Sequence, residues 1–108
     1  MELTLSTERR GRTAVVAVDG EIDLGTAGQL RDHLTECIRE ETRDIVLDLS
    51  AVTFMDSTGL QVLVAANTDV GGRLRVTGTS PTVHRLLHLT GVLEEFGLPP
   101  ERSVNEKQ

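Results

Sequence analysis

Between Thr13 and Gly91 the chain switches repeatedly between two hydrophobic periods, and that alternation limits its fold more than any other feature. "TAVVAV", Thr13–Val18, is a short β-rich run. Ala27, Leu30, Leu34, Cys37 and Ile38 then recur at three- and four-residue steps, the period of an amphipathic helix. "DIVLDLS", Asp44–Ser50, is the strongest strand, and its Ile45-Val46-Leu47 run predicts a strand covered on both faces. A helix is expected from Thr58 to Asn67 with Leu60, Val62, Leu63 and Val64 inward, then a strand over Leu74–Thr77. "SPTVHRLLHLTG" reads as a capped helix: Ser80 at the N-cap, Pro81 first, Val83, Leu86, Leu87 and Thr90 on one face, and Gly91 at the end. Ahead of all this, a loosely alternating "LTL" segment and Thr13–Val18 flank Gly11, as in a hairpin.

The order is β-β-α-β-α-β-α. Strands alternating with helices imply an α/β domain with a mixed, mostly parallel sheet of four to five strands and helices packed on it. The domain is expected over residues 4–98, with "VLEEFGL" as a short strand or a helical turn and residues 99–108 as a polar tail. A length of 108 residues suits one such domain. Aromatic residues are only 2% of the chain, so Leu, Val, Ile and Ala must build the core.

Charge and composition exclude several functions. A formal net charge of −6 opposes binding to nucleic acid, and aromatic residues are too few to stack single-stranded bases. No apolar run reaches the roughly 20 residues needed to span a bilayer, and the N-terminus lacks a signal-peptide pattern, so no membrane association and a cytoplasmic location are expected. Cys37 is the sole cysteine and falls on an apolar helix face, where a small buried hydrophobe is the expected role. No metal or cofactor is expected.

The chemistry concentrates in two loops at the carboxyl ends of strands, where sheets of this type place function. "DGEIDLGT", Asp19–Thr26, carries three acids and two glycines, and "TFMDSTG" places Asp56-Ser57-Thr58-Gly59 at the start of a helix. Asp56 or Ser57 can cap that helix, and the unpaired N–H groups of either helix start can hold an anion. A nucleophilic Ser57 would need a base and an orienting group. No G-x-S-x-G elbow is present, and His33, His84 and His88 have no recognisable motif around them. The glycines and lysine of a phosphate loop are missing, and Lys107, the only lysine, lies outside any receiver-type arrangement. A serine offered for modification remains, because a phosphate there would add about −1.5 to −2 charges beside Asp56. Ser57 is therefore expected to serve as both helix cap and target.

These residues resemble a known family. "VLDLSAVTFMDSTGLQVLV", with "VDGEID" upstream and "SPTVHRLLHLTGV" downstream, is similar to the STAS domain of bacterial anti-sigma factor antagonists over about residues 4–98. The resemblance implies a regulatory protein, not an enzyme. Its unphosphorylated form would bind an anti-sigma factor that is also a serine kinase of the histidine-kinase-like ATPase fold, and so free a sigma factor. Phosphorylation at Ser57 would end that binding, and a serine phosphatase would reverse it. Gly20, Asp23 and Thr26 of the first loop and Asp56, Ser57, Thr58, Gly59, Leu60 and Gln61 of the second form the implied partner surface, with Asp23 beside Ser57. Gln61 stands where many relatives have glycine. The chain is expected to act as a monomer or weak homodimer. The alternative is a STAS scaffold or accessory subunit, of stressosome or lipid-transport type, without sigma-factor control.

Overall fold

The structure, a computed structural model, describes residues 3–98. Strands β1 (Thr4–Arg10) and β2 (Thr13–Ile22) form an antiparallel hairpin whose register runs from Thr4↔Asp19 to Arg10↔Thr13. Gly11, at φ +62°, takes the left-handed conformation that closes it. Helix α1 (Ala27–Arg39), strand β3 (Asp44–Met55), helix α2 (Ser57–Asp69), strand β4 (Leu74–Thr79) and helix α3 (Pro81–Leu89) follow. The sheet order is β1-β2-β3-β4, with β2, β3 and β4 mutually parallel.

Both crossovers, β2-α1-β3 and β3-α2-β4, step the same way across the sheet. Right-handed connections of that kind lay both helices on one face. Burial follows: Ala14, Val16 and Val18, Ile45, Leu47 and Leu49, and Leu74 and Val76 point into the core with Leu30, Leu34 and Leu63. The opposite face carries half-buried Val15 and Val46 and exposed Arg75. The expectation that β3 is covered on both faces is corrected by this topology.

Two strands outrun their sequence signals. β2 continues past Val18 to Ile22, and β3 past Ser50 to Met55, so much of what reads as loop is sheet. The register against β2 slips by one residue between Asp48 and Ala51 and again between Val52 and Phe54, so the bulges lie in β3, whereas β2 keeps its alternation from Val16 and Val18 to Ile22, with Gly20 at φ +126°. In the second half of β3 burial falls on every third residue, Leu49, Val52 and Met55, a spacing with no strand signature.

The helices follow their expected faces with two corrections. Val64, expected inward, is 40% exposed, because Gly59, Leu63 and Ala66 form the buried stripe of α2. Thr90 is exposed as the C-cap of α3, its hydroxyl donating to the Leu86 carbonyl at 2.8 Å, while Val83 and Leu87 are buried. Ser80 does cap α3, accepting from the Val83 N–H at 3.3 Å. Cys37 is buried, and burial pushes its thiol pKa up. "VLEEFGL" forms a 3-10 turn, Glu94–Phe96, so the described residues hold four strands. The polar tail at 99–108 lies outside the described residues.

Leu93 and Phe96 tuck that turn into the core, and Phe96 is fully buried. Phe96→Ala should therefore cost about 3–5 kcal/mol, read as the loss of unfolding free energy in urea titration. A loss under about 1 kcal/mol, the range of surface changes, would show that the turn is not part of the cooperative core.

Candidate functional site

Strands β2 and β3 end side by side, with Ile22 paired to Met55. The Asp56 N–H donates to the Ile22 carbonyl at 3.2 Å, so the ladder carries through to the residue before α2. Both candidate loops thus leave the same corner of the sheet. The first turn of α2 rests on that corner. A Cβ at position 59 would stand 2.5 Å from Ile22 Cγ2 and 2.8 Å from Met55 Cγ, well inside van der Waals contact. Gly59 is there because no side chain fits.

Asp56, in extended conformation, is the N-cap of α2. Its Oδ1 accepts from the N–H groups of Thr58 at 2.9 Å and Gly59 at 3.4 Å, and also from the Thr58 hydroxyl. The hydrogen bond from that hydroxyl is the main cause holding the Asp56 carboxyl below the usual carboxylate range. Ser57 is therefore not the cap. It is the first helical residue, it is exposed, and among the described residues its hydroxyl has no hydrogen-bond partner.

The first loop is closed on itself. Asp23 Oδ1 accepts from the N–H groups of Gly25 at 2.9 Å and Thr26 at 3.2 Å. Thr26 Oγ1 accepts from the Asp23 N–H at 2.9 Å and donates to the Glu21 carbonyl at 2.7 Å. Thr26 is only 8% exposed, so it shapes the loop from within, and Gly20 lies ahead of the loop on β2 at φ +126°. Leu60 is half-buried against the core, whereas Gln61 is exposed.

Two residues at this corner were not singled out from the sequence. Leu24, at the tip of the first loop, is 82% exposed, and Phe54, paired across from Glu21, is 43% exposed. Their signal was faint: one apolar residue in a polar loop, and one of the two phenylalanines placed just before the hydroxyls. An open groove of about 510 Å³ adjoins Leu24 between α1 and α2, lined also by Ala27, Gly28, Arg31, Thr58 and Gln61. The corner thus combines a free hydroxyl, two carboxylates fixed by their own loops, exposed apolar side chains and the cationic Arg31.

His33 is engaged by the Thr7 hydroxyl on β1, and His84 and His88 sit on α3, which follows β4 and neither site loop. Among the described residues no group of three or more His, Cys, Asp or Glu side chains is placed to hold a metal, and no helix is long and apolar enough to cross a membrane.

Comparison with known proteins finds relatives of the whole fold. The STAS domain family profile matches residues 4–107. The anti-sigma-F factor antagonist RsfB of Mycobacterium tuberculosis is 33% identical over 98 residues, which cover 89% of this chain and 80% of the relative. The anti-sigma-B factor antagonist of Staphylococcus aureus is 35% identical over 95 residues, covering 85% and 88%. The crystal structure of an anti-sigma factor antagonist from Mycobacterium paratuberculosis superposes with a TM-score of 0.82 at 33% identity, covering 97% of this chain and 90% of that one.

Two consequences can be measured on the isolated protein. Gly59→Ala should destabilise by about 1–3 kcal/mol through overpacking against Ile22 and Met55, and unchanged urea unfolding would refute the close approach. Asp56→Ala should cost about 1 kcal/mol near neutral pH through loss of the cap. A depressed native pKa means that the folded carboxyl binds fewer protons than the unfolded one, so the stabilisation holds above about pH 4 and fades below it. The stability gap between wild type and Asp56→Ala should narrow on acidification, and a gap that widens would contradict the role of the ionised cap.

Proposed function

Because the chain belongs to the STAS domain family, we propose that it acts in the cytoplasm as an anti-sigma factor antagonist switched by phosphorylation at Ser57. In this reading the unphosphorylated protein binds an anti-sigma factor that is a serine kinase of the histidine-kinase-like ATPase fold, and a sigma factor is released. The kinase phosphorylates Ser57, the complex separates, and a serine phosphatase restores the binding form. The protein is then a binding module and a substrate.

One observation carries the proposal: the exposed, unpartnered hydroxyl of Ser57 at the start of a capped helix, next in the chain to Thr58, which shares an open groove with exposed Leu24. Exposed apolar side chains beside a groove suit a docking surface. A phosphate of about −1.5 to −2 charges set among them must be desolvated against the partner, next to Asp56. Docking is lost by local electrostatics, with no need to refold the domain.

The test is incubation with each ATPase-fold anti-sigma factor of the source genome and Mg-ATP, followed by intact-mass analysis. One phosphate should be gained, and none by Ser57→Ala. Labelling that survives this substitution would remove Ser57 from the mechanism, and the absence of binding to any anti-sigma factor would favour a scaffold or accessory role. In titration calorimetry Ser57→Asp should weaken the complex about tenfold or more, at least about 1.4 kcal/mol. Leu24→Ala should weaken it by about 1–2 kcal/mol while stability stays within about 0.5 kcal/mol. Full affinity in Leu24→Ala would move the docking surface elsewhere.

A further inference from the structure

Two adjacent hydroxyls open α2, and the fold treats them differently. Thr58 is half-buried, and its hydroxyl donates to Asp56 Oδ1, the oxygen that also receives the N–H groups of Thr58 and Gly59. Ser57 is exposed and makes none of these contacts. We propose that Asp56 and Thr58 form an acceptor-selecting pair: the Thr58 hydroxyl is held as an internal ligand of the cap, and Ser57 is left as the only phosphoryl acceptor. This rests on the partner-switching function above and specifies how its site is chosen.

The transfer step shows why the pairing matters. A lone pair of the acceptor Oγ attacks the γ-phosphorus of ATP, an O–P bond forms, and the bond from that phosphorus to the β,γ-bridging oxygen breaks. ADP leaves, and the hydroxyl proton passes to a base on the kinase. For Ser57 nothing in the cap has to move. For Thr58 the proton points away from a kinase, toward Asp56, and freeing it opens one of the three hydrogen bonds that fix the first turn. Asp56 does not substitute as the base, because a carboxylate stabilised in its ionised form is a weak proton acceptor. Branching at Cβ also restricts the Thr58 hydroxyl to few rotamers. Thr58 thus acts as a positioning residue, and Asp56 enforces the choice.

Two measurements test the pair separately from the function. In the isolated protein, NMR titration of side-chain carboxyl carbons should show the Asp56 pKa rising toward its ordinary value in Thr58→Val, which removes the hydroxyl and keeps the shape. An unmoved Asp56 titration would overturn the pairing, whatever any kinase does. With the cognate anti-sigma kinase and ATP, fragmentation mass spectrometry should place all phosphate on Ser57 in wild type and in Thr58→Val. In Asp56→Ala a share should shift to Thr58. Phosphate on Thr58 of the wild type, or labelling of Asp56→Ala confined to Ser57, would overturn the selection. If no anti-sigma factor labels the wild type, the proposed function fails, and the carboxyl titration still decides the pairing.

Discussion

The site depends on how closely α2 approaches the ends of β2 and β3. With Ile22 and Met55 paired, and only about 2.5 Å between an added Cβ at position 59 and Ile22 Cγ2, the first turn of α2 is pressed onto the sheet corner. Glycine is required for contact, since a methyl group would push the helix outward. The approach sets the order of events along the chain. Position 56 is held by its N–H bond to the Ile22 carbonyl and is the last extended residue; position 57 is the first helical one and faces outward; position 58 is turned back toward the cap. Position along this turn, more than residue chemistry, separates the roles of three neighbouring polar side chains.

That geometry also shows which parts of the site were legible in the sequence. Helical periodicity survives in any environment with one apolar face, so α1 and α3 were readable with their buried residues, and Ser80, Pro81 and Gly91 marked the limits of α3. The outer half of β3 was hidden because bulges and three-residue burial spacing erase the period-two signal on which strand recognition depends, and that of β2 because Asp19, Gly20 and Glu21 read as a turn. The expectation that Ser57 caps α2 failed because residue type does not separate Asp56 from Ser57, both good caps. The backbone bond from Asp56 to Ile22, a contact between residues 34 positions apart, settled it. Leu24 and Phe54 were passed over for a related reason: an exposed apolar side chain is visible only once the core that it fails to join is known.

The two loops differ in how they hold their acids, and the difference bears on recognition. Asp23 spends its carboxylate on the N–H groups of Gly25 and Thr26, making a closed turn that displays Leu24 at its tip. Asp56 spends its own on the helix start and displays Ser57. In both, an acid is consumed in building a rigid platform for the residue that follows it. Surfaces ordered before binding lose less entropy on docking, and here the rigidity comes from side chain to backbone hydrogen bonds within each loop.

A capped helix start also fixes what a phosphate at Ser57 can do. At an uncapped helix N-terminus, free N–H groups and the helix dipole welcome an anion, and a phosphate would fold back onto them. In α2 the N–H groups of Thr58 and Gly59 already bond to Asp56, an ionised carboxylate favoured in that state by the Thr58 hydroxyl. In the proposed cycle a phosphate added at position 57 would therefore meet a like charge where those two N–H groups would otherwise be free donors. Asp56 prevents the domain from absorbing the new charge internally, and in the proposed cycle this directs the full effect of phosphorylation onto the partner.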